Sequence, residues 1–265
     1  MMNDERLLAE TAAHPYPLLF ATVSGAHLYG FPSADSDWDL RGSHVLPLAA
    51  VAGLEGGEET VKRSNVRGGA EVDLVTHDAR KFFALLLRDN GYVLEQLYSP
   101  LVVHTTPEHA ELREIARGCV TRRCVRHYLG FAHNQWRLWE KEEPRRVKPL
   151  LYVYRVLLTG IRMMRSGEVV ASLPECNVEM RLPYIDELIH RKTAGAEREV
   201  MSEADAVFHR EEFLRLCRDL ADAAERSRLP ETASTATRAA LHDLLLRVRL
   251  AEAEDRGAVA SGRLL

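Results

Sequence analysis

The sequence predicts an α+β protein in which a small domain of strands and helices is followed by a helical domain. Strand-like apolar runs bounded by Gly, Pro and Ser are confined to about the first hundred residues. From about Pro107 onward, apolar residues recur at helical spacing and strand signals are few. The chain has 265 residues, 46% of them apolar, which is enough for one large or two modest domains. We therefore expect an α/β domain over residues 1–105 and a helical domain over residues 106–265.

The first domain begins with a helix that is followed by a buried strand. Asn3 or Asp4 can cap a helix that runs through Ala13, and the prolines after it prevent its continuation. The apolar run at 18–23 predicts a strand that ends at a Ser-Gly turn. The later elements of this domain are expected as a strand at 38–46, helical turns at 48–54, a weak strand at 59–64, a strand at 71–76, a helix from 78 to about 89 and a helical segment at 92–98.

The second domain is expected to consist of helices alone. Proline-containing breaks fall at Pro144, Pro174 and Pro230. The helices between these breaks are predicted at 108–141, 145–166, 184–199, 204–227 and 234–256.

Charge is distributed unevenly along the chain. The net charge is −4, yet residues 113–165 contain 13 Lys and Arg against 4 Asp and Glu, which is a local charge of +9. Such a segment is typical either of a site for an anionic ligand or of a solvated helix surface, and both interpretations stay open. No apolar run approaches the roughly 20 residues of a membrane span, and the acidic start lacks a signal-peptide core. We expect a cytoplasmic protein that does not bind membranes and whose four cysteines are buried free thiols.

Two carboxylates stand one residue apart at the start of the second strand, at Asp37 and Asp39. Alternate residues of a strand face the same side, about 6.6 Å apart at the usual rise of about 3.3 Å per residue. Both aspartates are therefore expected to point together, while Trp38 and Leu40 point into the core. Carboxylates crowded in this way resist ionising together unless a cation compensates them.

A third acid is available on the strand at 71–76. Asp73 alternates with apolar residues that mark a core strand, and Glu71, two residues earlier, is expected to face the same side. Carboxylate oxygens suit hard divalent ions such as Mg²⁺ or Mn²⁺. Three acids could hold two such ions about 3.5–4 Å apart, the arrangement that clamps the attacking and leaving oxygens in phosphoryl transfer. The sequence therefore predicts a two-metal site at Asp37, Asp39 and Asp73.

The turn at Ser24-Gly25 supplies a second part of a phosphoryl-transfer site. It follows a strand and precedes a short helix-like segment, so its backbone N–H groups are placed to cradle phosphates. Gly25 allows a close approach of the backbone, and the serine hydroxyl can donate as well.

These motifs together resemble the DNA polymerase β-type nucleotidyltransferase superfamily. The stretch SGAHLYGFPSADSDWDLRG is similar to the YcgL/RlaP-type predicted nucleotidyltransferases, including the branch associated with RNA ligases. EVDLVTHDARKFFALLLRDN, GYVLEQLYSP, YLGFAHNQ and KPLLYVYR extend the resemblance over roughly residues 18–160.

The resemblance implies a mixed sheet with a trailing helical domain. It also implies that Asp37, Asp39 and Asp73 are metal ligands and that Ser24 and Gly25 contact a triphosphate. Family members usually carry serine after the glycine, whereas Ala26 stands there in this chain, so one hydroxyl for the triphosphate is missing.

A polar stripe follows one side of the helix predicted at 145–166. Lys148, Tyr152 and Arg155 are spaced so that they share a face, which Thr159 and Arg162 continue. The stripe can face a cleft and bind a triphosphate, or it can face solvent. Lys148 is the first choice for a phosphate contact, because the resemblance places a lysine there.

Other side chains near the motifs have more than one interpretation. Arg41 shares the face of Asp39 and can pair with it or reach a phosphate. Asn90 and Glu95 are expected to fix the entry of a helix, and Tyr128 and Gln135 to line the acceptor side.

Histidines and tryptophans offer two further alternatives. His27, His44 and His77 offer zinc ligands as the alternative to an oxygen-ligated metal. Trp136 and Trp139 are expected in the core, with base stacking as the alternative.

The resulting hypothesis is a metal-dependent nucleotidyltransferase. It would transfer a nucleoside monophosphate from an NTP to a hydroxyl, such as an RNA or other nucleic-acid end in RNA repair, and release pyrophosphate. One alternative is nucleotidylation of a protein target, and another is a nucleotide- or RNA-binding module with little catalysis. The sequence does not specify the NTP, the acceptor or the oligomeric state.

Overall fold

One mixed sheet is formed by strands between residues 18 and 105 in the computed structural model, which describes residues 2, 4–194 and 201–262. Within those residues the strands are β1 (Leu18–Ser24), β2 (Trp38–His44), β3 (Thr60–Arg67), β4 (Ala70–Asp78) and β5 (Val102–Thr105). They lie in the order β3-β4-β2-β1-β5. β2 and β4 are parallel, and the other neighbouring pairs are antiparallel. The α+β class and the mixed sheet are thus confirmed.

Helices surround this sheet and make up the rest of the described chain. Those within residues 1–105 are α1 (Glu5–Ala12), α2 (Gly25–Tyr29), α3 (Leu48–Ala52), α4 (Ala79–Leu86) and α5 (Gly91–Tyr98). The following ones are α6 (Pro107–Ala116), α7 (Cys124–Glu140), α8 (Val147–Ser166), α9 (Leu173–Met180), α10 (Pro183–Thr193), α11 (Glu203–Glu225) and α12 (Thr235–Gly262). Among these described helices, none combines the length and the apolar character needed to cross a bilayer.

Local sequence signals explain where several elements begin. The Asp4, Asp78 and Asn90 side chains accept hydrogen bonds from backbone N–H groups of the first turns of α1, α4 and α5, as their positions predict. Gly68 and Gly69 both have positive φ and join β3 to β4 in a two-residue hairpin loop. Such a loop favours glycine because a Cβ is strained at positive φ.

The two faces of the sheet pack against different partners. Val23, Leu40 and Leu74 are fully buried on one face, against Leu7 of α1. The other face packs against the helices of the long core that continues into α7, α8, α11 and α12. This core runs without interruption from Phe20 to residues of α12, so the sheet and the C-terminal helices share buried surface. The boundary between residues 105 and 106 stays a prediction.

The last helix returns to the sheet through a buried ion pair. Arg249 of α12 donates to both carboxylate oxygens of Asp78, at 2.6 and 2.5 Å, and to the Leu46 carbonyl at 2.5 Å. Asp78 also accepts from the backbone N–H groups of Leu46 and Arg80. One carboxylate at the end of β4 therefore holds three segments together.

Three elements differ from the sequence prediction. The short strand β5 was not expected. The predicted helix 108–141 is divided into α6 and α7 by a 3₁₀ turn at Arg117–Cys119 and a non-helical segment. α9 begins at the Pro174 segment that was expected to be a break, because proline is well accommodated in the first turn of a helix. The predicted helix 184–199 is described as far as Thr193, and residues 195–199 lie outside the described part of the chain.

Candidate active site

Three polar side chains stand side by side where β1 ends and β2 begins. Ser24 pairs with Asp39 across β1 and β2, and Asp39 pairs with Asp73 across β2 and β4. Directly opposed residues of neighbouring strands project from the same face. Ser24 is buried, and both aspartates are half-buried. The fold therefore brings two of the three expected acids onto adjacent positions of one sheet face.

Asp37 lies at the same edge but outside the strand. β2 begins at Trp38, so Asp37 belongs to the preceding loop rather than to the strand, and it is exposed. The expectation that Asp37 and Asp39 alternate on one strand was wrong in this respect. The position of Asp37 depends instead on the conformation of the loop before it.

The backbone at Gly25 is packed against the Asp39 carboxylate. Gly25 has φ +62°, and a Cβ built there would lie 1.8 Å from Asp39 Oδ2. A side chain at this position is therefore excluded by both space and backbone conformation. The neighbouring Ser24 Oγ is buried and makes no hydrogen bond of ordinary geometry within the described residues, although Ser24 lies close enough to the Tyr29 hydroxyl to oppose the rise that burial causes in the pKa of that phenol. A buried hydroxyl beside a glycine turn is suited to contact a ligand oxygen.

Arg41 joins the two strand acids. It donates from Nη2 to Asp39 Oδ1 at 2.6 Å, from Nη1 to the Asp73 carbonyl at 2.8 Å and from Nε to Tyr92 Oη at 3.1 Å. Of the two alternatives left open by the sequence, the structure shows the pairing with Asp39. Burial raises the pKa of the Asp39 carboxyl. The positive charge of Arg41 opposes this rise, and the negative charge of Asp73 adds a smaller amount to it.

The carboxylates of the site fit a hard divalent cation that has further ligands from phosphate. Asp37, Asp39 and Asp73 offer oxygen ligands, as Mg²⁺ and Mn²⁺ prefer. Across residues 2, 4–194 and 201–262, however, no three His, Cys, Asp or Glu side chains are gathered closely enough to form a ready cage. Protein sites for Mg²⁺ commonly use one or two carboxylates and complete the coordination with phosphates of the substrate. The acids fit a cation that arrives together with a phosphate ligand.

The N-terminal part of α8 packs against α2 and the segment that follows it, and the region between Lys148 and Asp39 is called the cleft below. Tyr152 makes edge-on contacts with Tyr29 and Phe31, each at 5.6 Å between ring centres. Burial raises the pKa of the Tyr152 phenol. The positive charge of Lys148 opposes this rise, and the negative charge of Asp39 adds to it. The charges of Lys148 and Asp39 therefore both reach the Tyr152 phenol. Lys148 and Tyr152 are both half-buried.

Arg155 does not lie in this cleft. It is 2% exposed and donates from Nη1 to Glu95 Oε2 at 2.6 Å. Its guanidinium also lies 4.0 Å from the centre of the Tyr29 ring. The expectation that Arg155 contacts a triphosphate does not agree with this burial. Thr159 is buried as well, so the predicted polar stripe reaches the cleft only through Lys148 and Tyr152.

Glu95 is the partner of Arg155, which the sequence did not indicate. Asn90 caps α5 as expected, whereas Glu95 is buried in the core and does not fix the helix entry. Burial raises the pKa of Glu95, and the charge of Arg155 opposes that rise. The pair is therefore an internal ion pair beneath the site.

The histidines do not form a zinc site. His27 stacks on Trp38 at 3.8 Å between ring centres, His44 bonds to Thr76, and His77 bonds to Thr60. Each ring has a different partner, and the three do not converge in the described structure.

The aromatic residues of α7 are mostly structural. Trp136 stacks on Phe213 at 4.5 Å and Trp139 is buried, as expected for core residues. Tyr128 is fully buried and cannot line an acceptor surface, whereas Gln135 is half-buried. All four cysteines are free thiols, and three of them are buried.

Much of the basic segment is engaged in ion pairs. The following of its arginines have acidic partners: Arg117, Arg122, Arg123, Arg146, Arg155, Arg162 and Arg165. The local charge of +9 counted in the sequence therefore overstates the positive charge that a ligand would meet.

Lys192 of α10 is a residue near the site that the sequence did not indicate. It is fully buried and its Nζ lies 3.0 Å from Ser33 Oγ, in the loop before Asp37. No local signal could have found it, because it lies in the last turn of a helix some 159 residues after the serine that it contacts.

Comparisons with known proteins agree with the sequence motifs. The profile of the RNA repair pathway DNA polymerase beta family, RlaP, matches residues 2–247. Uncharacterized protein MJ0002 of Methanocaldococcus jannaschii is 33% identical over 152 residues, which are 57% of this chain and 61% of that protein. Uncharacterized protein YcgL of Bacillus subtilis is 25% identical over 204 residues, 72% of this chain and 75% of that protein. The match thus spans about three fifths of the length of the archaeal relative.

One solved structure is also similar. It is a nucleotidyltransferase-like protein from Exiguobacterium sibiricum, aligned over 82% of this chain and 71% of its own at 10% identity, with a TM-score of 0.29. A likeness at that level carries no argument about the fold. The resemblance drawn from the sequence motifs is confirmed by the family profile.

Proposed function

Since this chain belongs to the RNA repair pathway DNA polymerase beta family, we propose that it transfers a nucleoside monophosphate from an NTP to a hydroxyl of an RNA end. Pyrophosphate is the leaving group, and the acceptor hydroxyl loses its proton. The RNA acceptor is taken from the description of the family. A protein side chain as acceptor is an outcome that the experiment below distinguishes.

The observation that carries the proposal is the cross-strand pair of Asp39 and Asp73 beside Gly25. The strands place the two carboxylates in register, and the glycine leaves bare backbone against one of them. A concentration of negative charge beside a phosphate-sized turn requires a compensating cation when a triphosphate enters.

The acids Asp37, Asp39 and Asp73 would hold Mg²⁺ or Mn²⁺. Such cations, when bound, neutralise phosphate charge and orient the reacting oxygens. Asp37 would approach from its loop, whereas Asp39 and Asp73 are fixed by β2 and β4.

The remaining roles belong to the protein itself. Asp73 would accept the proton of the acceptor hydroxyl, because its strand position places it beside the paired acid. Ser24 and the N–H groups at Gly25 would bind phosphate oxygens. Lys148 would neutralise phosphate charge from α8, and Tyr152 would form the adjacent wall of the cleft.

Arg41 has a role that its contacts suggest directly. It holds the Asp39 carboxylate through one nitrogen and the Asp73 carbonyl through another. It would therefore keep the two strand acids aligned and reduce their mutual repulsion before substrate binds.

The experiment is incubation of the full chain with each labelled NTP, with Mg²⁺ or Mn²⁺, and with RNA, DNA and protein acceptors. We expect label on RNA, and loss of that label in the Asp37→Ala/Asp39→Ala double variant. Glu55→Ala is the matched control, because Glu55 is exposed and lies outside the strands β2 and β4 that carry the acids.

Other outcomes assign the alternatives. Label on protein would replace RNA by a protein acceptor. Nucleotide binding without transfer, unchanged in the double variant, would overturn the catalytic proposal in favour of a binding module.

A further inference from the structure

Lys192 is a fully buried cation beside the loop that carries Asp37. Its exposed fraction is 0%, and Nζ lies 3.0 Å from Ser33 Oγ and 5.9 Å from the centre of the Phe31 ring. Moving an ammonium group out of water is unfavourable unless nearby polar groups and charges compensate for the loss of hydration. The residue thus joins α10 firmly to the segment that follows α2.

Hydrogen bonds continue from Lys192 toward Asp37. Ser33 Oγ lies 3.0 Å from Ser36 Oγ, and the Ser33 N–H donates to Ser36 Oγ at 2.9 Å. The Ser36 N–H donates back to the Ser33 carbonyl at 3.1 Å. These bonds close a compact turn whose last residue directly precedes Asp37.

The other neighbour of Asp37 is fixed by His27. This ring stacks on Trp38 with 3.8 Å between ring centres and an angle of 9°, and its Nε2 lies 3.5 Å from the Ser36 carbonyl. Both residues flanking Asp37 are therefore held, although Asp37 itself is exposed and lies before the strand.

We propose that Lys192 is a positioning residue that sets the conformation of the Ser33–Ser36 turn and so places the Asp37 carboxylate for cation binding. This inference rests on the proposed function, since it concerns the metal that Asp37 would share with Asp39. Its consequence is that α10, far from the acids in sequence, determines how tightly the cation is bound.

The test is a Mn²⁺ titration of the full chain, read from the electron paramagnetic resonance signal of free Mn²⁺. It contains an equimolar mixture of the four α,β-methylene nucleoside triphosphates, which supply phosphate ligands without turnover. We expect Lys192→Met to raise the half-saturating Mn²⁺ concentration about tenfold, as loss of an outer-sphere partner usually does. The amount bound at saturation should equal that of the wild type.

Two further variants separate positioning from general damage. Lys192→Arg keeps the charge but not the ammonium geometry, and should give an intermediate shift. Ser33→Ala/Ser36→Ala removes the side-chain hydrogen bonds of the turn, and with them the contact to Lys192, while the lysine itself stays in place; it should shift the titration in the same direction. Lys141→Met, an exposed lysine at the end of α7, is the control and should titrate like the wild type.

The outcomes distinguish the two proposals. If the wild type binds no Mn²⁺, the proposed function fails and this inference fails with it. If the wild type binds Mn²⁺ and the Lys192 and serine variants, folded by circular dichroism, titrate within twofold of it, the inference alone is overturned. Should Lys192→Met not fold, the serine double variant decides the question.

Discussion

The Asp39 carboxylate lies directly against the backbone of Gly25, so that a Cβ on Gly25 would stand 1.8 Å from Oδ2. The contact joins the first residue of α2 to the second residue of β2. It fixes the distance between the Ser24-Gly25 turn and one of the acids of the proposed site. Variants at either residue therefore report on the same site.

Gly25→Ala should abolish nucleotidyl transfer and lower the free energy of unfolding. The added methyl group must displace the Asp39 carboxylate, and alanine at φ +62° is strained by about 1–3 kcal/mol. Transfer assays and urea denaturation measure the two effects. Gly130→Ala is the control, because space is open around this exposed helical glycine and alanine favours a helix by about 1 kcal/mol. A Gly25→Ala protein with full activity would contradict the assignment of the turn.

Asp39→Asn should gain stability relative to the wild type as pH rises. Burial raises the folded pKa of Asp39, so its favourable contribution is complete at low pH and is lost as pH rises through that pKa. Asparagine cannot ionise and escapes this loss, although transfer activity should disappear. Urea denaturation of both proteins at a series of pH values from acidic to neutral measures the difference.

Asp35→Asn should show the opposite dependence of stability on pH. The hydrogen bond from Ser33 lowers the folded pKa of Asp35, so its contribution is present at neutral pH and lost as pH falls. This variant should therefore lose stability relative to the wild type as pH rises. If both variants change in the same direction with pH, the explanation from burial is wrong.

Lys148→Met should raise the KM for NTP by about 10–100-fold, as expected when a charged hydrogen bond of about 1.5–3 kcal/mol is removed. A small change in kcat would indicate that the lysine binds ground state and transition state alike. Steady-state kinetics at saturating Mg²⁺ measures both constants. Lys141→Met should leave them unchanged, and an unaltered KM in Lys148→Met would exclude the lysine from the triphosphate site.

Arg155→Met should destabilise the protein by about 3–5 kcal/mol, because it leaves Glu95 as an unpaired charge in the interior. Adding Glu95→Gln should recover part of that loss. Arg117→Met is the control: Arg117 and Glu114 are 73% and 71% exposed, and such pairs contribute about 0–1 kcal/mol. Urea denaturation measures all four proteins. A normal free energy of unfolding in Arg155→Met with a raised KM for NTP would restore the expectation that Arg155 contacts phosphate.

The acids of β2 and β4 were predictable because the information is local. Asp39 and Asp73 each alternate with core residues, so the pattern alone indicates which face they occupy. Their exact pairing across parallel strands depends on the register of two segments separated by the β3–β4 hairpin. Asp37 was misplaced because strand alternation was extended to it, although the predicted strand and β2 both begin at Trp38, and side-chain direction is least certain at element ends.

Long-range partners explain the larger errors. The helical spacing of Arg155 is the same for a cleft and for a core, and its partner Glu95 is 60 residues away. Lys192 could not be predicted for the same reason, because its partner Ser33 is 159 residues away. β5 is only four residues long, and a strand of that length is defined by its neighbour β1 more than by its own composition.

The ion pair of Arg249 with Asp78 has a consequence for how the protein is made. Arg249 follows the carboxylate that it neutralises by 171 residues. The strands of the sheet are therefore synthesised long before Arg249. Until the final helix has emerged, Asp78 keeps its two backbone N–H partners but lacks Arg249, so the sheet is less stable than in the complete chain. A premature stop codon ahead of α12 would accordingly produce a less stable polypeptide that is more open to proteolysis.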